Sequence, residues 1–253
     1  MKKTLFVLSA LALLLALQPL QNVPAQSVQK MAIPSYFYPG AYWTQLINGA
    51  PTVGLAIINP ASGPGKKADS NYLNTVQQAQ ARGITVLGYV YTKYGSRRAS
   101  AVQADIDKYY SWYGVDGIFF DEASNDCAKV SYYQDLYNYV KAKGGQAKVV
   151  LNPGINTGEC YVNASDILVT FEDNFAAYTT WSPSGWEYNY PAERFWHLVI
   201  GASSEADMTQ AITWSKQRHA GWVYVTNDDL PNPWDTLPSD PYWSDELNAV
   251  NQP

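Results

Sequence analysis

Residues 115–124 read VDGIFFDEAS: an apolar run ends in two adjacent carboxylates, Asp121 and Glu122, and then in a polar turn. A strand with one wet face alternates polar and apolar residues, whereas a strand of a parallel sheet covered on both faces reads as a near-continuous apolar run. The stretch has the second character, and it recurs along the chain. Short runs rich in β-branched and aromatic residues occupy 33–38, 53–58, 84–91, 117–121, 148–152, 167–171, 197–200 and 222–226. Between several of them, residues 69–81, 99–112, 132–142 and 205–217 carry apolar side chains at helical spacing. Residues 244–250 supply a short last helix, with Ser244 placed to cap it.

Eight strand-like runs of this kind predict an α/β protein, a single (β/α)8 barrel of the TIM type over residues 26–253. A doubly wound sheet is the structural alternative, but it normally announces a Gly-rich turn after its first strand, and none follows here. Residues 173–191 are aromatic and show no clear period, so an irregular loop over the barrel mouth is expected there.

The start of the chain reads differently. Lys2 and Lys3 precede an apolar run at residues 5–17, and Val23, Pro24 and Ala25 complete the pattern of a secretory signal peptide over residues 1–25. The run is shorter than the roughly 20 apolar residues that cross a bilayer. A secreted or periplasmic product with no membrane attachment after cleavage is therefore expected. Cleavage removes two lysines and no acids, taking the formal charge from −5 to −7. No basic stripe is present, which argues against nucleic acid as a partner. In an oxidising compartment the two cysteines, Cys127 and Cys160, allow one disulfide. Closing that loop is worth about 3–4 kcal/mol in the chain-entropy model. Nothing in the sequence demands more than a monomer.

In such a barrel the C-terminal ends of the strands converge on one mouth, where active sites lie. Asp121 and Glu122 end the fourth run and Glu172 ends the sixth, in ILVTFED (167–173), so three acids are expected to face one cavity. Glycoside cleavage uses a pair of carboxyl groups, one protonating the leaving oxygen and the other acting as nucleophile or activating water. Successive side chains on a strand alternate in direction, so only one of Asp121 and Glu122 points inward unless a bulge turns both. The plainer reading is that Asp121 caps the next helix or pairs with Arg97 or Lys129.

Aromatic residues make up 14% of the chain, enough to fill barrel layers and still line a groove. Tyr36 and Tyr89 fall on predicted strands, and Tyr38, Tyr91, Trp222, Tyr224 and Trp234 are candidates to stack on sugar faces. Asn152, Asn227 and Asp228 are candidates to bind hydroxyl groups, or are turn residues. With only His197 and His219, both read as structural, no zinc site is predicted and no metal or other cofactor is called for. No G-x-S-x-G elbow or P-loop occurs.

The stretches VLGYVYTKYGSR (86–97), GVDGIFFDEAS (114–124), VVLNPG (149–154) and VTFED (169–173) resemble, in order, those of the spherulin-4 (spherulation-specific family 4) proteins. The resemblance covers residues 31–250 and extends to glycoside hydrolase family 135. It implies a (β/α)8 barrel acting as an endo-α-1,4-N-acetylgalactosaminidase on galactosamine-containing exopolysaccharide of the biofilm-matrix type. It also implies that the catalytic acids are the Asp121–Glu122 pair and Glu172. The rival expectation is a carbohydrate-binding or coat protein that keeps the barrel without the chemistry.

Overall fold

The structure is a computed structural model and describes residues 28–252. The predicted signal peptide, residues 1–25, lies outside the described residues. Eight parallel strands close into a barrel: β1 (Lys30–Ser35), β2 (Val53–Ile58), β3 (Thr85–Tyr91), β4 (Gly117–Asp121), β5 (Lys148–Leu151), β6 (Ile167–Asn174), β7 (Phe195–Ile200) and β8 (Trp222–Val225). Their order around the barrel is their order in the chain. The helices are α1 (Ala41–Asn48), α2 (Ser70–Ala81), α3 (Ala99–Tyr113), α4 (Val130–Lys141), α5 (Phe175–Thr180), α6 (Glu205–Gln217) and α7 (Tyr242–Asn251).

The apolar runs become strands because both faces are covered: every residue of β2 and β7 is buried. Inside the barrel a chain of rings crosses the bore from Tyr36, just past β1, to β7. Tyr36 meets Tyr89 edge-on at 5.4 Å, Tyr89 lies 6.3 Å from Phe119, and Phe119 lies 5.8 Å from Trp196. Glycine is required both between neighbouring strands and under a helix. A Cβ at Gly117 would lie 2.0 Å from the Lys148 carbonyl oxygen, and one at Gly88 would strike the Tyr109 ring of α3 at 2.4 Å.

Closure needs help at the β8–β1 seam, where register pairing covers only Lys30 with Trp222 and Met31 with Val223. Glu246 of α7, fully buried, accepts the next free amide, Val225 N–H, at 2.8 Å. Burial raises its carboxyl well above the usual range, opposed by the Val225 bond.

Three sequence expectations are corrected here. The first strand begins and ends earlier than residues 33–38, because Tyr36 turns away from the ladder when its N–H donates to the Trp234 carbonyl at 2.9 Å. Ser244 does not cap the last helix: it lies inside α7, where its N–H donates to the Asp240 carboxylate at 3.2 Å. Residues 173–191 are not wholly irregular, since β6 runs on to Asn174 and α5 follows, capped by the Asn174 side chain accepting from Ala177 N–H at 2.9 Å.

The fifth connection has only a 3₁₀ turn, Glu159–Ala164, where other units place an α-helix. Cys160 in that turn is bonded to Cys127 ahead of α4, forming the expected disulfide. Tyr161 ties the same two segments by donating to the Asp126 carbonyl at 2.7 Å. The cystine thus replaces a missing helix–helix contact. Cys160→Ser is expected to lower unfolding stability by about 3 kcal/mol in urea titration, given a 33-residue separation, with the barrel retained.

Candidate active site

Asp121 closes β4, and the alternation that buries Phe119 in the ring layer also turns Asp121 inward. Its carboxylate takes a hydrogen bond from the Tyr89 hydroxyl at 2.8 Å and another from Asn152 Nδ2 at 3.0 Å. Asn152 follows β5 and is 3% exposed. Its Oδ1 accepts from Gly154 N–H at 2.9 Å, which aims Nδ2 at the acids. That same Nδ2 donates to Glu172 on β6 at 2.6 Å. One amide nitrogen therefore joins carboxylates from β4 and β6, and the two bonded oxygens lie no more than about 5.6 Å apart.

Burial raises both acids, and each is raised further by a carboxylate neighbour. Asp121 moves up chiefly by desolvation, opposed by hydrogen bonds from Tyr89, the Glu122 backbone and Asn152, while the charge of Glu122 pushes it upward. Glu172 reaches about 7, through desolvation first and the charge of Asp121 second; Asn152 and Trp234 pull it back only in part. A carboxyl group that titrates near neutrality can hold a proton and release it. The Tyr89 phenol, donating to Asp121, is held far above its ordinary range and stays protonated.

Glu122 answers the alternation problem in a different way. No register shift interrupts β4; the residue takes a left-handed backbone, φ 48°. Its carbonyl accepts from Thr92 Oγ1 at 2.8 Å and Tyr94 N–H at 2.7 Å, while its half-buried carboxylate makes no hydrogen bond among the described residues. Asp121 caps no helix and pairs with no cation. Arg97 is bound instead to Asp105, and the Lys129 side chain packs beside Gly95.

Other candidates divide sharply by position. Trp234, almost buried, lines a cleft of about 340 Å³ with Gly154, Glu172, Asp173, Ile200 and Leu230. Tyr38 stands exposed on the rim, its hydroxyl donating to Asp69 at 2.9 Å and accepting from Asn71 at 2.7 Å. Tyr91 is half-buried and has one face of its ring taken by the Arg97 guanidinium at 4.3 Å. Trp222 is corrected outright: as the first residue of β8 it sits at the opposite end of the barrel, donating to the Glu193 carbonyl at 2.9 Å. Tyr224 is also corrected, being fully buried against Trp234, with centroids 5.9 Å apart, and near Glu246. Asp228 is occupied in its own loop, accepting from Asp229 N–H at 2.9 Å and Thr236 at 2.8 Å. Asn227 is exposed on that loop and takes no part in the acid network.

Tyr89 reads in the sequence as a ring able to fill the core or stack on a sugar, not as a donor to Asp121; its two-residue offset from Tyr91, the register partner of Asp121, is the available signal. Both histidines are structural. His197 is buried and paired with the Tyr178 hydroxyl at 2.7 Å, which lowers its pKa to about 3 by desolvation, and His219 meets the Tyr190 carbonyl at 2.6 Å. Among the described residues no group of three or more His, Cys, Asp or Glu is arranged to hold a metal ion.

The fold and the site together define a single (β/α)8 barrel with paired, desolvated carboxyl groups at its C-terminal mouth. The sequence model of the spherulation-specific family 4 matches residues 30–250. Spherulin-4 of Physarum polycephalum is 37% identical over 261 residues, spanning 94% of this chain and 76% of that one. The chain belongs to the spherulation-specific family 4. Among solved structures, Aspergillus clavatus Sph3 in complex with GalNAc superposes with a TM-score of 0.77 at 24% identity, over 90% of this chain and 99% of that one. An endo-β-N-acetylglucosaminidase from Cordyceps militaris gives a TM-score of 0.58 at 14% identity, over 88% and 92%. A chitinase from Chromobacterium violaceum gives 0.57 at 13%, over 88% and 100%. These likenesses establish the barrel fold.

Because Glu172 has a folded pKa raised from 4.5 to about 7, the folded state binds more protons than the unfolded one between those values. Stability contributed at this residue therefore falls as pH rises from 4.5 to 7. Glu172→Gln is expected to be more stable than wild type at pH 8, by roughly 1–3 kcal/mol, and to show little difference at pH 4. Denaturant midpoints at the two pH values check this; an equal effect at both would contradict a raised pKa.

Proposed function

We propose that this chain is an exported glycoside hydrolase that cuts α-1,4-linked (N-acetyl)galactosamine within an exopolysaccharide. The observation that carries this reading is the Asn152 amide holding Asp121 and a Glu172 that titrates at about 7. Glu172 acts as general acid and then general base. Asp121 works on the anomeric carbon's side, as the nucleophile or by orienting a substrate N-acetyl oxygen, and Glu122 supports the charge. Tyr89 and Asn152 keep Asp121 hydrogen-bonded as that charge changes.

The spacing supports a choice of stereochemistry. Retaining glycosidases hold their carboxyl groups about 5–5.5 Å apart, whereas inverting enzymes leave about 6.5–9.5 Å for a water. The bound of about 5.6 Å between the bridged oxygens favours the first, and both roles given to Asp121 retain anomeric configuration. The Sph3 complex with GalNAc supports an aminosugar as substrate. A partly deacetylated polymer is cationic and suits the expected charge of −7 after cleavage at residue 25. The disulfide suits an oxidising compartment, and no helix among the described residues is long and apolar enough to cross a membrane.

Purified wild type, Asp121→Asn and Glu172→Gln are to be incubated with galactosamine-rich exopolysaccharide while new reducing ends are counted. Each substitution is expected to lower the rate about 10²–10⁴-fold. NMR of the first products is expected to show the substrate's α configuration. Polymer binding without wild-type cleavage would replace the enzyme by the carbohydrate-binding alternative. Since the acid step needs protonated Glu172, the wild-type rate is expected to fall as pH rises through about 7.

A further inference from the structure

Residues Lys93, Tyr94 and Gly95, between β3 and α3, take three successive positive φ angles of 49°, 54° and 75°. Residues with a Cβ visit the left-handed region singly rather than in runs, because Cβ crowds the following carbonyl. Glycine would make such a turn without that crowding, yet only the third position uses it. The turn is held by its surroundings. Ser96 N–H and Oγ–H both donate to the Lys93 carbonyl, at 3.0 and 2.6 Å, and Tyr94 N–H donates to the carbonyl of Glu122 at 2.7 Å. Glu122 is itself left-handed, so strained backbone from two adjacent loops meets beside the paired acids. Strain maintained in this way concentrates at ligand clamps and active sites.

What the turn achieves is the presentation of one ring. Tyr94 is 62% exposed, and its backbone is anchored to the residue after Asp121 by the N–H bond to the Glu122 carbonyl. The other strongly exposed tyrosines are supported: Tyr38 by Asp69 and Asn71, Tyr42 by the Phe37 ring at 5.3 Å, and Tyr188 by the His219 ring at 5.0 Å. The Tyr94 side chain has no ring or hydrogen-bond partner among the described residues. A costly backbone that leaves a flat apolar face bare beside a reaction centre is arranged for a ligand with a flat apolar face. The C–H faces of a pyranose ring provide one.

We propose that Tyr94 is the platform of a sugar subsite on the β3–β4 side of the acids, on which one residue of the polysaccharide chain stacks. The inference rests on the polysaccharide reading above and deepens it. Internal cleavage needs sugar rings bound on both sides of the broken bond. The cleft at Trp234 and Leu230 serves the β6–β8 side, and Tyr94 serves the other.

The test uses Tyr94→Ala, Tyr94→Gly and Tyr94→Trp, each in the wild-type background for kinetics and with Glu172→Gln for binding to galactosamine-rich exopolysaccharide. Tyr94→Ala and Tyr94→Gly are expected to raise KM and Kd for the polymer about fivefold or more, with kcat within about twofold, while Tyr94→Trp stays near wild type. Tyr94→Gly is also expected to unfold no earlier than wild type, because it relieves the left-handed strain, so its weaker binding cannot be ascribed to misfolding. Polymer cleavage with KM and Kd indifferent to all three substitutions would overturn the subsite and leave the hydrolase intact. Binding that depends on Tyr94 without cleavage by wild type would overturn the hydrolase and leave the subsite. Failure of every form to bind or cut the polymer would overturn both.

Discussion

A single side-chain amide sits between the two acids on which the mouth is built, and the barrel order makes its position possible. β5 lies between β4 and β6, so a residue just past its end is the one group able to reach an inward carboxylate on either neighbour. Asn152 is fixed there by its backbone, with its N–H on the Phe120 carbonyl at 2.9 Å and its carbonyl taking Ala123 N–H at 2.8 Å. Its Oδ1 is occupied by Gly154, which removes the flipped arrangement from competition. Asp121 and Glu172 then receive a donor each without receiving a positive charge. Two close carboxylates over a layer of buried rings cannot both ionise cheaply, and a neutral donor offsets that repulsion only in part. The proton that remains on Glu172 near neutrality follows from this arrangement.

Strand polarity decides which residues share that environment. In a parallel barrel every strand delivers its last residues to the same face, so Asp121, Asn152 and Glu172 meet although they are far apart in the chain. The same rule sends Trp222, first in its strand, to the other end beside Lys148, the first residue of β5. The β3–β4 corner adds a second constraint. Thr92 and Tyr94 both bind the Glu122 carbonyl, so the left-handed turn after β4 and the left-handed run after β3 hold each other.

The eight strands, the positions of the three acids and the cysteine pairing were legible because each depends on spacing or on residue type alone. Apolar runs mark buried parallel strands, and an acid after such a run marks a strand end. Short elements left weaker marks: α1 has eight residues and α5 six, too few for a helical period to declare itself against aromatic neighbours. Side-chain partnerships were less legible still. Nothing in the spacing of Tyr91 and Arg97 tells that the guanidinium will lie on that ring, and nothing in YVTNDD tells that Asp228 will be consumed by its own turn. The distinction between Tyr89, which serves Asp121, and Tyr224, which is packing, depends on contacts across the barrel that no local pattern carries.

Cations are as telling by their placement as acids are. Arg97 is near enough in sequence to answer Asp121, but it binds Asp105 on α3 and spreads over Tyr91. Lys141 is held by Asp166, with Nζ 2.7 Å from the carboxylate, and Lys108 and Lys143 pair with Asp105 and Asp107 on the outer helices. None of these ion pairs involves Asp121, Glu122 or Glu172. A lysine or arginine against Glu172 would stabilise its ionised form and draw its pKa below the ordinary carboxylate value, leaving no acid to protonate a leaving group at neutral pH. With Arg97, Lys108, Lys141 and Lys143 directed to other partners, and no ion pair made by Asp121, Glu122 or Glu172 among the described residues, the counter-charge that serves the pair is the proton itself.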